Sequence, residues 1–431
     1  MVEPNRVLQS GVQRPGTFYS WCVILAATLF SFYIMIQINL FNAISVDLMR
    51  ELNLDEKQLG YLVAFYFYGN VLFLFPAGIL LDRFSIRNLM LVVFTVSVIA
   101  TYIFSITSSF WLINTTRFIL GLAGAFPMLA AVKLTSQWFE SRQMALVIGV
   151  IVTVSIFGGV IAQTPLALLT QSLGWRYAVQ IVAALGMILI MIQFAVVRDK
   201  PKGSEKVDFE KQAQLKRIGF WNSLRMVVTN GQNWLGGIYI SFLNLPTFIF
   251  GAWGTAYLTQ ARHFTQLQAT VVTTTFFIGL TIGSPLVGLI SDKMGLRKLP
   301  LIIGAILSLA VLLIIMFSPA MPLWVVSCQF LFLGLVNSSQ VIGYPVIAES
   351  NPRIFTAIAT GIGSTVVMAG GMLIPVFVWL LSWSGSNMIV DKVTTYSLAD
   401  FTRANYLMLL GLIIAVIASL LLKETYCKQL D

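Results

Sequence analysis

What most limits this chain is a succession of apolar runs, each long enough to cross a bilayer and each free of acidic residues. Twelve can be marked: 19–44, 59–80, 88–107, 110–134, 144–170, 175–197, 232–257, 267–290, 299–319, 322–346, 356–382 and 404–423. About 20 apolar residues span the hydrocarbon as a helix. Lipid offers no partner to exposed peptide groups, so such runs must be helical. The expected fold class is an all-α polytopic membrane protein with twelve transmembrane helices. Composition agrees, with 58% apolar and 10% charged residues, against about 25% charged in soluble chains. The first run is too long for a signal-peptide core and has no small-residue cleavage site, so it counts as a helix. Cys22, Cys328 and Cys427 are too few and too scattered for a disulfide framework or a zinc site. His263 is the only histidine, which leaves little for metal binding or acid–base catalysis. No metal, no cofactor and no enzymatic activity are expected.

A net charge of +10 often signals nucleic acid, but its distribution here points to lipid. With both termini in the cytoplasm, the inside segments hold nineteen Lys and Arg, from Arg6 and Arg14 through eight between Arg198 and Arg225 to Lys423 and Lys428. The outside loops hold six: Arg50, Lys57, Arg176, Arg262, Lys392 and Arg403. That bias fixes the orientation by the positive-inside rule. The expected partners are the lipid bilayer and a small-molecule substrate, with no nucleic acid, and the chain is taken as a monomer. Residues 198–231 form a basic cytoplasmic linker, part of it readable as a helix on anionic lipid. It divides the chain into a six-helix half at 1–197 and another at 232–431.

The halves share spacings. Gly78-Ile-Leu-Leu-Asp82-Arg83-Phe-Ser-Ile-Arg87 after span 2 recurs as Gly288-Leu-Ile-Ser-Asp292-Lys293-Met-Gly295-Leu-Arg297-Lys298 after span 8. Gly149, Gly158 and Gly159 in span 5 recur as Gly361, Gly370 and Gly371 in span 11, and Glu140-Ser141 recurs as Glu349-Ser350. Three matches at nearly one offset predict two six-helix halves related by an axis along the membrane normal. These residues, with Arg117-Phe-Ile-Leu-Gly121 in span 4, Trp138-Phe139, Gly174-Trp175-Arg176 and Lys423-Glu424-Thr425, are those of a family. The chain resembles a major facilitator superfamily (MFS) transporter over nearly its whole length. It departs at Ser85 and Ile86, where the family's loop motif has glycine and arginine. It departs again at Val160, where the family's antiporters place a proline after the glycine.

The resemblance implies a cytoplasmic gate built from Gly78, Asp82, Arg83, Arg87 and Arg142, with a second copy at Gly288, Asp292, Lys293 and Arg297. Such charges hold the cytoplasmic side shut and part when the halves rock; the competing reading is that they only mark orientation. Arg117 is the most informative residue, because a charge buried in hydrocarbon faces the bundle interior or a wet path. Gly121, Gly124 and Met128 share its helix face, and no acid in a span core is available to pair with it. It can meet a substrate carboxylate or phosphate, influence a proton site, or serve a structural role through bonds to backbone carbonyls or polar side chains. Lys133 lies near the cytoplasmic end of the same span and can snorkel to water.

The resemblance also implies that spans 1, 4, 7 and 10 line the path. The remaining cavity candidates are Tyr33, Gln37, Tyr68, Asn70, Asn244, Asn337 and Gln340, with interhelical hydrogen bonding as the alternative for each. Asn39 and Asn42 point away from the Tyr33–Gln37 face. Pro246 and Pro345 can kink their helices, and Trp253 with Tyr257 reads as an aromatic anchor at the outer interface. No Asp, Glu or His lies in a span core, so proton symport, the family's usual importer mode, lacks an obvious carrier. A protonatable substrate, Asp47 in an outer vestibule, exchange and uniport all stay open. The expected function is a secondary active transporter of a bacterial inner membrane, importing an amino acid, peptide or carboxylate. An exporter of drugs or of a secreted metabolite such as a siderophore is the alternative.

Overall fold

The computed structural model describes residues 17–139, 144–199, 220–352, 355–383, 388–390 and 393–428. Span 1 is α1 (Thr17–Asn39) continued by α2 (Phe41–Leu52), and span 2 is α3 (Glu56–Arg83). Span 3 is α4 (Ile86–Ile106), span 4 is α5 (Phe110–Gly124) with α6 (Phe126–Trp138), span 5 is α7 (Met144–Ile161) with α8 (Thr164–Leu173), and span 6 is α9 (Trp175–Val196). A short α10 (Phe220–Thr229) leads into span 7, made of α11 (Gly231–Leu243), α12 (Leu245–Ala256) and a π turn (Tyr257–Ala261). Span 8 is α13 (Gln266–Met294) and span 9 is α14 (Lys298–Phe317). Span 10 runs through α15 (Leu323–Asn337), a 3-10 turn (Ser338–Ile342) and α16 (Gly343–Glu349). Span 11 runs through α17 (Thr356–Ala369), a 3-10 turn (Gly370–Leu373) and α18 (Ile374–Ser382). A two-stranded hairpin, β1 (Met388–Val390) and β2 (Val393–Thr395), precedes span 12, α19 (Leu398–Leu421). Among the described residues eleven helices are long and apolar enough to cross a membrane, and α3, the remaining span, is 28 residues long.

Spans 1, 4, 5, 7, 10 and 11 are each interrupted. Pro127, Pro165, Pro246 and Pro375 head the second pieces of four of them, where a missing N–H costs nothing. The kink expected from Pro246 is thus a break at Asn244, and in span 10 the irregular turn comes just before Pro345. Two boundaries differ from the sequence reading. Span 12 begins at Leu398 rather than 404, because Ser397 and Asp400 form a capping box that recruits polar residues into its first turn. Span 1 runs on past its apolar stretch to Leu52, where Asn53 turns left-handed (φ 51°) and stops it.

The linker defines a linker side; the opposite end is the far side. On the far side the halves meet directly, α2 against α12 and α18 against α3. At mid-depth two aromatic rings of one half sit on glycines of the other: Phe277 (span 8) on Gly159 (span 5), and Phe67 (span 2) on Gly371 (span 11). A Cβ at either glycine would run into the ring. On the linker side α7 still packs against α13 and α17 against α3, whereas among the described residues α6 and α16, and α1 and α11, make no extensive contact. There Gly78, Gly149, Gly288 and Gly361, toward the linker-side ends of spans 2, 5, 8 and 11, face open space: a Cβ at any of them would meet nothing within 4 Å. Among the described residues the seam is closed on the far side, held at mid-depth through spans 2, 5, 8 and 11, and open on the linker side between spans 4 and 10 and between spans 1 and 7.

Each half is also fastened to itself. Asp199, just after span 6, accepts the N–H of Arg87 at 2.6 Å in the first turn of α4. Glu424, just after span 12, accepts the N–H groups of Arg297 (2.8 Å) and Lys298 (2.9 Å) where α14 begins. A carboxylate there satisfies orphan donors and faces the positive end of the helix dipole. Burial would raise the Glu424 pKa, but the N–H groups of Arg297, Tyr426, Lys298 and Thr425 outweigh it and hold it below the usual carboxylate range.

Candidate solute site

Arg117 stands at a corner where spans 1, 2 and 4 meet. Gly121 makes the corner possible: spans 2 and 4 touch backbone to backbone, and a Cβ there would collide with the Tyr66 carbonyl. The guanidinium lies between two rings, 4.8 Å from the centroid of Phe41 and 5.4 Å from that of Tyr66. Its Nη1 donates to the Gln37 carbonyl at 3.0 Å, and its Nε lies 3.4 Å from the Leu62 carbonyl. Gln37 is in the last turn of α1, so the break at Leu40 frees a carbonyl that the cation then caps. Arg117 is 1% exposed and its Nη2 has no partner. No carboxylate forms an ion pair with it among the described residues. Two of its nitrogens thus tie helices together through backbone carbonyls, and the third makes no hydrogen bond among the described residues.

Gln37 and Asn70 border the same corner. Gln37 Nε2 and Asn70 Oδ1 are buried and make no well-formed hydrogen bond, Gln37 lying near the Tyr33 hydroxyl and Asn70 near that of Tyr66, while Asn70 Nδ2 donates to the Gly121 carbonyl at 3.2 Å. In the second half Asn337 is fully buried, its Nδ2 a long 3.5 Å from Thr247 and its Oδ1 unpartnered. Gln340 lies in the 3-10 turn beside it, and Asn244 marks the break of span 7. Two candidates go elsewhere. Tyr33 is buried beneath span 3, its hydroxyl 2.9 Å from Thr101. Tyr68 shares an outer helix face with Tyr61, Phe65 and Leu72, away from Arg117. Trp253 and Tyr257, expected at the interface, are 2% and 3% exposed; Tyr257 receives Arg262 and Trp253 packs near Phe377.

The far-side seal is a set of residues that the sequence reading left out or set aside. Asn42 donates to Gln163 through a short bond and to Thr273 at 3.2 Å, and its oxygen accepts the Thr255 N–H at 2.8 Å. Thr273 also donates to Gln163 at 2.9 Å, and the hydroxyls of Thr164 and Thr274 are 2.7 Å apart. Spans 1 and 5 are thereby stitched to spans 7 and 8 by buried neutral groups. The signal in the sequence was an Asn, a Gln and threonines near the far ends of apolar spans.

Of the gate candidates, the second copy is fully visible. Arg297 pairs with Asp292 at 2.6 Å and with Glu349 at 2.9 Å, and Thr425 also bonds Glu349. Partial burial would lower the Arg297 pKa, but Glu349 and Asp292 outweigh it and raise it. Lys293 is exposed. In the first copy, Arg87 donates to the Phe194 carbonyl at 2.7 Å and lies over that residue's ring. Arg142 and the side chains of Asp82 and Arg83 fall outside the described residues. These ion pairs lie within one half, so none of them bridges the seam in this conformer. A separate cavity of about 260 Å³ lies at the far end of the second half. Its Arg262 is spent on the Tyr257 hydroxyl and the carbonyls of Ile315 and Ser318, which end span 9.

The family model described as Major Facilitator Superfamily matches residues 24–375 and again 238–426. The chain belongs to the major facilitator superfamily. It is similar to the probable galactarate/D-glucarate transporter GudP of Escherichia coli (strain K12), at 22% identity over 93% of this chain and 95% of that one. The protein of the same name from Bacillus subtilis (strain 168) is 24% identical over 79% of this chain and 81% of its own. Among solved structures, a bacterial homologue of the human lysosomal transporter Spinster, inward-facing and unoccupied, superposes with a TM-score of 0.72 at 16% identity. That match covers 96% of this chain and 97% of the other, and it shows the shared fold. As a member of the superfamily this is a multi-pass membrane transporter of a small organic solute.

Proposed function

We propose that the chain is a secondary active transporter that carries a small organic anion inward across a bacterial inner membrane by alternating access. The observation that carries this reading is Arg117. A cation taken out of water without an anion to pair with it is costly, and inside a bundle such charges sit where a solute or ion passes. A carboxylate meeting Nη2 and Gln37 Nε2 would satisfy both donors and neutralise the site. The relatives' names, which specify organic diacids, agree with an anionic solute. The Lys and Arg bias supports a cytoplasmic linker side, so the parted seam would release solute inward. The halves, taken as 1–197 and 232–431 about the 198–231 linker, rock on the two ring-on-glycine contacts. Without Asp, Glu or His in a span core, a coupling proton would travel on the solute or by way of Asp47.

The test is uptake of labelled organic anions and neutral analogues into vesicles holding the purified protein, with imposed pH gradients and with an uncoupler. Saturable uptake of an anion that is lost in Arg117→Gln is expected. Equal uptake of neutral and anionic solutes, indifferent to that substitution, would overturn the reading.

A further inference from the structure

We infer that the transported solute carries one anionic group, no ammonium group, and a neutral, hydroxyl-bearing body. This rests on the anion reading of Arg117 and narrows it. The corner that holds Arg117 has a twin. Phe41, Tyr66 and Arg117 in spans 1, 2 and 4 correspond to Phe250, Phe276 and Phe330 in spans 7, 8 and 10. The glycine contacts fix this register for spans 2 and 4 against 8 and 10, and Phe41 and Phe250 take matching places beside Arg117 and Phe330. Gly121 abuts the Tyr66 carbonyl as Gly334 abuts that of Phe276, and Gly69 abuts the Phe118 carbonyl as Gly279 abuts that of Leu331. The twin corner is an aromatic cluster, with Phe250 centred 5.0 Å from Phe330 and 6.0 Å from Phe276. Where one half presents a guanidinium, the other presents a phenyl ring.

The rest of the interior is consistent with one charge only. Apart from Arg117, the charged side chains of the described spans lie toward span ends; Lys133, the deepest of them, is held by the Leu81 carbonyl near the linker side. A second carboxylate on the solute would be buried without a cation, and an ammonium without an anion, each strongly unfavourable. Neutral polar groups fare differently. Asn70 Oδ1 and Asn337 Oδ1 are buried acceptors with no well-formed hydrogen bond, and a hydroxyl supplies a donor. A site built to bond particular groups rejects analogues that leave charges or polar atoms unpaired far more strongly than it rejects a change of size.

The experiment is a thermal-shift and competition series on the purified protein at pH 7. It uses matched three- to six-carbon sets, at six carbons gluconate, glucarate, glucosaminate and glucitol. Within the set that binds, the hydroxy-monoacid should bind at least about tenfold more tightly than the diacid and the amino acid, and the polyol should not register. Binding of the monoacid should be lost in Arg117→Gln. A diacid or amino acid as tight as its monoacid, with binding still dependent on Arg117, overturns the single-charge inference and leaves the anion reading standing. Binding that is indifferent to Arg117→Gln, or no monoacid binding at any length, overturns both.

Discussion

The two halves of this transporter are alike in how they touch across the seam and unlike at the three-helix corner. Phe67 on Gly371 and Phe277 on Gly159 are the same contact made twice, and Asp199 and Glu424 do the same work after the sixth and twelfth spans. At the three-helix corner the copies part company: Arg117 stands between Phe41 and Tyr66, while Phe330 packs at a tilt against Phe250. The contacts across the seam keep the symmetry, as the proposed alternating-access cycle would require if both halves turn about matched points. The proposed solute chemistry lies where the symmetry fails. A second guanidinium would double the cost of an empty interior without a second anion to offset it.

Replacing both corner residues by leucine tests this most severely. Arg117→Leu removes the one charge-assisted bond proposed to reach the solute, worth about 1.5–3 kcal/mol, so anion uptake should fall about tenfold to a hundredfold. Phe330→Leu should keep uptake within about fivefold and lower the melting temperature by a few degrees, as expected of a tolerated core swap. Similar losses from the two would erase the contrast. Next in size, Gly371→Val should drive a side chain into Phe67 and cut transport at least about tenfold, as overpacking costs about 1–3 kcal/mol. Solute binding should change little, and Gly159→Val should match it if the two contacts are equivalent. A smaller effect is expected at the far side. Asn42→Ala removes three bonds at roughly 0.6 kcal/mol each, so labelling of a cysteine placed beside Thr255 should rise about tenfold to twentyfold. Smallest is the cap on α14. Because the Glu424 pKa is held down in the fold, its contribution is present above about pH 4.3 and is lost as pH falls through the lower folded value. Thermal melts should show Glu424→Gln costing about 0.5 kcal/mol at pH 7, with the cost shrinking as pH is lowered below about 4.3.

Much of the fold was legible because its signals are local. Apolar length gave the spans, and glycine spacing gave the repeat. Arg117 stood out because a charge in an apolar run needs a reason. Legibility ended where meaning depends on distant partners. Asn42 and Thr273 are 231 residues apart, and nothing in either span says that they meet. Tyr33 and Tyr68 show the converse: their residue type suits a polar cavity, but one faces span 3 and the other the bundle's outside, and apolar runs greasy on every side do not reveal which face is which. Trp253 and Tyr257 misled for the same reason. The Arg117–Phe330 correspondence needed the three-dimensional register, since offsets drift from 209 to 213 along the repeat.

The carboxylates that follow spans 6 and 12 have one more implication. Asp199 hooks the end of the first bundle back onto its own third helix, and Glu424 does the same for the second. Neither hook borrows anything from the neighbouring bundle. A chain severed between Asp199 and Phe220 should therefore give two separately inserted pieces that assemble on meeting in the bilayer, as two gene products would.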